Sequence, residues 1–234
     1  MHSISKNTAA TRISVDAAIQ AAGRDPADIH LVAVSKTKPT AAIEEAYAAG
    51  LTDFGENYVQ EATAKIRALA HLPLNWHFIG AIQSNKTRSI AENFQWVHTV
   101  DRSKIARRLS DQCPPGKILD ACLQVNIDLD PAKAGVLPEH AAALLDEVAR
   151  LPNLRVRGLM TILESAGDPL SSYQRLAALF ADLAGHGQQS WDTLSMGMSR
   201  DYPQAIMAGA THVRIGTDIF GPRTTVATDE LIQE

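Results

Sequence analysis

The sequence predicts an α/β protein folded as a single (β/α)8 TIM-type barrel with one extra helix at its N-terminus. Three observations carry this. Eight short apolar runs each precede a segment of helical spacing or a turn. The length, 234 residues, suits one such barrel. No Pro/Gly/Ser-rich linker or shift of composition divides the chain, so residues 1–234 read as one domain with a polar tail over 223–234. An open doubly wound sheet shares the strand–helix order, but eight units more often close.

Residues 8–22 space Ile13, Ala17 and Ile19 for a helix that Gly23 ends. The strands then read as 31–35, 52–55, 76–80, 96–100, 118–126, 154–158, 193–196 and 212–215, short and apolar as buried parallel strands are. Between them lie helices over 40–49, capped by Thr40, then 57–70, 84–93, and one capped by Asp101 that carries Ile105 and Leu109. Pro138 opens the next at its first turn, with Ala141, Leu144, Leu145 and Val148 as its inner stripe. Helices over 170–184 and 200–208 complete the series.

Composition excludes several classes. Hydrophobic residues make up 45% and charged residues 21%, an ordinary globular balance. The net charge of -4 argues against a nucleic-acid or anionic-membrane surface. No segment approaches the ~20 apolar residues of a membrane span, and the N-terminus has no secretory pattern. Cys113, in a turn, and Cys122, in an apolar run, have no metal-ligand spacing and fit a reducing compartment. A cytoplasmic protein is expected.

Chemistry in a parallel barrel gathers where strands end. Lys36 ends the first, in Leu-Val-Ala-Val-Ser-Lys. A lysine there is paired, lowered in pKa and nucleophilic toward an aldehyde, or snorkels to solvent. Ser195-Met-Gly-Met-Ser-Arg-Asp follows the seventh strand and places Ser199 at a helix N-terminus. Arg214-Ile-Gly-Thr217 follows the eighth. Together these adjoining loops make a phosphate cup from backbone N–H groups; singly, each reads as an ordinary Gly-containing turn. Arg214 reads either as a surface salt bridge near a strand end or as a partner of a pyridine nitrogen, to which it would offer only donors and so disfavour a protonated ring and weaken it as an electron sink. His77 reads as a satisfied core histidine, and Lys133 and Lys86 as solvated lysines near the mouth.

These segments, with Phe54-Gly-Glu-Asn-Tyr-Val-Gln-Glu61, Trp76-His-Phe-Ile-Gly80, Gln83-Ser-Asn-Lys86 and Gly158-Leu-Met-Thr-Ile162, resemble the pyridoxal phosphate homeostasis family, called YggS in bacteria and PROSC in animals. The match runs from about Ile29 to Gly221. The resemblance implies a barrel like the N-terminal domain of alanine racemase without that enzyme's β-domain. It implies pyridoxal 5′-phosphate held as an internal aldimine on Lys36, phosphate contacts from Ser199, Gly216 and Thr217, and Arg214 facing the ring nitrogen. Asn57 lines the pocket on the same grounds, with Lys133 and Met198 as secondary contacts. Ala81 and Asp218 depart from the family's usual residues; an inward Asp218 would weaken phosphate binding.

The function so implied is carrying or buffering the cofactor in vitamin B6 homeostasis, not catalysis, with pyridoxal-phosphate-dependent apoenzymes as recipients. The alternative is a pyridoxal-phosphate-dependent amino-acid racemase. Racemisation wants a base on each face of the ring, and only Lys36 is evident, Tyr58 having nothing to fix it opposite. A Schiff-base aldolase is a third reading. Without the β-domain a monomer is expected.

Overall fold

The structure, a computed structural model, describes residues 3–163, 167–186 and 190–222. Its elements run α1 Ile4–Ala21, β1 His30–Val34, α2 Thr40–Ala48, β2 Asp53–Glu56, α3 Val59–Ala68, β3 Asn75–Phe78 and α4 Thr87–Asn93. There follow β4 Trp96–Val100, α5 Ser103–Gln112, β5 Leu119–Gln124, α6 Pro138–Val148, β6 Leu154–Met160 and α7 Pro169–Asp182. The chain continues with β7 Thr193–Met198, α8 Tyr202–Met207, β8 His212–Ile215 and α9 Thr217–Phe220.

The eight strands form a closed barrel in sequence order. Every pair is parallel, and β1 meets β8 in register from His30 opposite His212 to Ala33 opposite Ile215. The outer layer buries Ile43, Phe54, Phe78, Phe94, Leu109, Leu145 and Leu176 between strands and helices. That apolar shell supplies the hydrophobic drive of the fold. The inner layer is more polar than a barrel interior of branched aliphatics. His98 of β4 and His212 of β8 come from opposite sides of the barrel, yet their ring centroids lie 6.0 Å apart, so both point inward. Helix α1 packs on α2, α8 and α9. Ser3 caps it by accepting the Lys6 N–H, and the Asn7 side chain donates to the Ile219 carbonyl at 3.1 Å.

The expected order of elements holds, and several boundaries move. Strands β6 and β7 extend two residues beyond the predicted Gly158 and Met196, to Met160 and Met198. Thr40 is the first helical residue of α2, not its cap; Pro39 holds the cap position without a side-chain bond. Asp101 does not cap α5, which begins at Ser103; it pairs with Arg102 at 2.6 Å. Ser199 is not at a helix N-terminus. The Asp201 carboxylate accepts the Met198 N–H at 2.6 Å and its own N–H donates to the Met198 carbonyl, which folds 198–201 into a turn. Helix α8 therefore starts at Tyr202, with Pro203 in its first turn, where a missing N–H costs nothing. The short α9 after β8 lies outside the predicted elements. The polar tail over 223–234 lies outside the described residues.

Candidate functional site

A cavity of about 490 Å³ opens at the C-terminal ends of the strands. A second one, of about 270 Å³, lies at the opposite end, between α1 and the starts of β1 and β2. Only the first collects the strand-end residues singled out by sequence. Lys36, Asn57, Met198, Ser199, Arg214, Gly216 and Thr217 all line it.

Lys36 is half-buried in the turn that leaves β1. Its two neighbours are pinned. The Ser35 hydroxyl donates to Glu56 Oε1 at 2.6 Å, and Lys65 Nζ donates to the Ser35 carbonyl at 2.8 Å. The Thr37 N–H, at a φ of 62°, donates to Glu61 Oε1 at 2.5 Å. Lys65 joins Glu56 at 2.7 Å and Glu61 at 2.6 Å, so one buried ammonium ties β2 and α3 to the chain on either side of Lys36. Burial pushes the Glu56 carboxyl up against the pull of Lys65. Beside it, Asn57 Oδ1 is buried without a hydrogen-bond partner among the described residues. Gly80 makes room there: a Cβ on it would stand 2.1 Å from the Asn57 carbonyl.

Across the cavity are the loops after β7 and β8. Among the described residues no acceptor meets the backbone N–H groups of Ser199, Arg200, Gly216 and Thr217. Their residues are half-buried or exposed, so the four N–H groups face the open cavity as donors that a bound group could meet. At Gly216 a Cβ would stand 3.1 Å from the Val34 carbonyl, so the bare backbone lets β8 close on β1. Arg214 is buried and donates to Ser195 Oγ and to the Thr161 carbonyl, both at 2.8 Å. Burial pulls its guanidinium below the usual arginine range, but it stays charged at neutral pH. Val34, Ile79, Leu163 and Met198 give the wall an apolar part. An amine, an anion cup, a donor-only cation and apolar side walls fit a flat ring carrying an aldehyde, an anionic group and an acceptor.

The remaining candidates stand outside the wall. Lys133 Nζ donates to the Leu163 carbonyl at 3.2 Å, and so reaches the rim through a wall residue. Tyr58 is exposed, and Asp218 is exposed and off the wall. His77 is buried and hydrogen-bonded at both ring nitrogens, as a core histidine should be. Two wall residues escaped the sequence reading. Lys38 donates to the Phe220, Gly221 and Pro222 carbonyls at 2.9, 3.5 and 3.0 Å, clasping the segment after α9. Its spacing of two from Lys36 was the available signal. Asp201 holds the β7 turn and lies near the buried Tyr173 hydroxyl, whose pKa is pushed far up by burial and by the Asp201 charge. It stood inside the Ser195–Asp201 motif, where its carboxylate after Ser-Arg was the sign of a turn-capping group.

Comparison with known proteins shows the family and the fold. Residues 14–224 match the family model for the alanine racemase N-terminal domain. The pyridoxal phosphate homeostasis protein of Pseudomonas aeruginosa is 56% identical over 227 residues, covering 95% of this chain and 97% of its own. The structure of PipY from Synechococcus elongatus PCC7942 with PLP bound superposes with a TM-score of 0.82 at 39% identity, covering 93% of this chain and all of that one. Alanine racemase from Corynebacterium glutamicum shares the fold at 16% identity and a TM-score of 0.68; the match covers 99% of this chain and 64% of the enzyme. The chain thus belongs to the alanine racemase N-terminal-domain family and, within it, to the pyridoxal phosphate homeostasis proteins.

Proposed function

We propose that this protein binds pyridoxal 5′-phosphate in the upper cavity and keeps it available to the enzymes that depend on it. One observation carries the reading: Lys36, four unpaired backbone N–H groups and Arg214 converge on one cavity of about 490 Å³, within the usual size of a small-ligand site. When bound, the cofactor supplies an aldehyde that condenses with amines. Lys36 would hold it covalently. The Ser199, Arg200, Gly216 and Thr217 amides would take the phosphate, with the Ser199 and Thr217 hydroxyls beside them. Arg214 would donate to the ring nitrogen, and Asn57, Ile79 and Met198 would flank the ring. Lys133 would act from the rim.

Storage is favoured over turnover because the wall lacks a second poised base. Among the described residues of the wall, Lys38 and Asp201 are the ionisable side chains besides Lys36 and the arginines. Lys38 is engaged by three carbonyls, and Asp201 by the Met198 N–H. The relatives' name as homeostasis proteins supports the same reading.

Purified protein should be yellow. Borohydride should bleach it and add the cofactor's mass to the Lys36 peptide, and Lys36→Ala should lose both the colour and the adduct. A colourless protein that takes up no added cofactor would sink the proposal. Brisk racemisation of any amino acid would overturn its storage half.

A further inference from the structure

The polar interior of the barrel connects its two ends. From the lower face upward, Asp53 Oδ1 lies 3.1 Å from His77 Nε2, and His77 Nδ1 lies 3.0 Å from His98 Nε2. His98 Nδ1 lies 2.7 Å from Ser195 Oγ, which accepts from Arg214 at 2.8 Å. His77, His98 and Ser195 are fully buried; the Asp53 side chain, 21% exposed, is the member that meets solvent, in the wall of the lower cavity. Arg214 has no carboxylate in contact among the described residues.

The chemistry of the partners fixes every proton. Burial pushes Asp53 up, but the hydrogen bonds of His77, Thr52 and Asn75 to the carboxylate outweigh it and hold it below the usual carboxylate range. Ionised, Asp53 can only accept, so His77 Nε2 carries the proton. Burial pushes both histidines toward the neutral form. Neutral His77 therefore accepts at Nδ1, and His98 must donate from Nε2. Neutral His98 then accepts at Nδ1, and the Ser195 hydroxyl must donate to it. That leaves the Ser195 lone pairs for Arg214, which only donates. Each of the four bonds points the same way, from the cation to the anion, and every member is satisfied. Aligned bonds in a low-dielectric interior polarise one another.

We propose that Asp53, His77, His98 and Ser195 form a one-directional hydrogen-bond chain that orients Arg214 and biases its charge, making Asp53, at the far end of the barrel, a positioning residue for the acceptor that Arg214 meets in the upper cavity. That acceptor is the ring nitrogen if the reading of the cavity above holds. The chain itself stands without it. Arg214 comes from β8, which closes the barrel, and its guanidinium has two fixed acceptors, Ser195 Oγ and the Thr161 carbonyl. Loss of the first leaves it held by the Thr161 carbonyl alone.

The test has two arms. In long-range 1H–15N spectra of the wild-type protein, His77 and His98 should both be neutral Nε2–H tautomers near neutral pH; a Nδ1–H tautomer or an imidazolium at either site overturns the proposal without reference to any ligand. In the second arm pyridoxal phosphate is titrated into Ser195→Ala, Ser195→Thr, Asp53→Asn and, as a control, Asp16→Asn, an exposed carboxylate of the lower cavity outside the chain. Ser195→Ala should weaken binding roughly tenfold, as loss of an outer-layer hydrogen bond typically does, and move the pH midpoint of the bound chromophore's absorbance. Ser195→Thr should restore both. Asp53→Asn keeps an acceptor for His77 and removes the charge, so it should move the midpoint while leaving the circular dichroism unchanged; Asp16→Asn should move neither. If Asp53→Asn binds and titrates as wild type does, Asp53 has no part in the site and the proposal fails. If wild-type protein binds no cofactor, the reading of the cavity fails, and the tautomers alone decide the chain.

Discussion

Acid should unfold this barrel through its histidines. His77, His98 and His212 are buried in the interior, and burial is the largest cause pushing each below the ordinary value of 6.5. His98 and His212 are held well below it, with their neighbouring histidines adding repulsion. A histidine kept neutral in the folded state contributes stability that is fully present above 6.5. It is lost as pH falls below 6.5, because the unfolded chain takes up protons there and the folded one does not. Each such group costs about 1.4 kcal/mol per pH unit below that point. From pH 7.5 to 5.5 only the last unit counts, so His98 and His212, held well below 6.5, remove about 3 kcal/mol together and His77 adds to the loss, a large part of the roughly 5–15 kcal/mol a domain has. Asp53, at about 2, does not titrate in this window. The measurement is urea unfolding of cofactor-stripped protein at both pH values, followed by circular dichroism and extrapolated linearly. His212→Asn should take away about a third to a half of the difference. A stability that changes by less than about 1 kcal/mol over the interval would refute the reasoning, since the histidines would then be titrating in the folded protein.

Two further outcomes follow from packing. Gly80→Ala drives a Cβ toward the Asn57 carbonyl, 2.1 Å away in the present backbone; overpacking of this kind should cost about 1–3 kcal/mol and weaken cofactor uptake, read by thermal melting and by titration, and an unchanged melt would show that the β2 loop yields freely. Lys65→Met strands the buried Glu56 carboxylate with the Ser35 hydroxyl; breaking such a pair from one side should cost about 3–5 kcal/mol, with Glu56→Gln in the same chain restoring part of it, and a wild-type urea midpoint in the single variant would contradict the assignment.

The barrel was legible because its strands are nearly continuous apolar runs and each is followed by a helical stripe. Lys36, Ser199, Arg214, Gly216 and Thr217 were legible because a parallel barrel sends strand ends to one face. What escaped depends on three-dimensional register. Ser199 was placed on a helix because a serine before a periodic segment looks like a cap; the sequence does not show that Asp201 takes the Met198 N–H first. Lys38 binds carbonyls some 180 positions away, as Phe220 lies 182 residues on, and no local pattern encodes that. The interior chain was hidden for the same reason. Alternation says that His77 can face inward, but only the pairing of β3 with β4, and the position of β7 across the barrel, put His98 and Ser195 within its reach.

The pairing of β1 with β8 has a consequence for how the molecule is made. Lys36 belongs to the first unit and Ser199, Gly216 and Thr217 to the last two, so the two sides of the upper cavity meet only when the final strand zips against the first. A ribosome must release nearly the whole polypeptide before a ligand can be gripped from both sides. Long-range closure of this kind is slow compared with local helix formation, so the cavity is complete only after the last strand has paired.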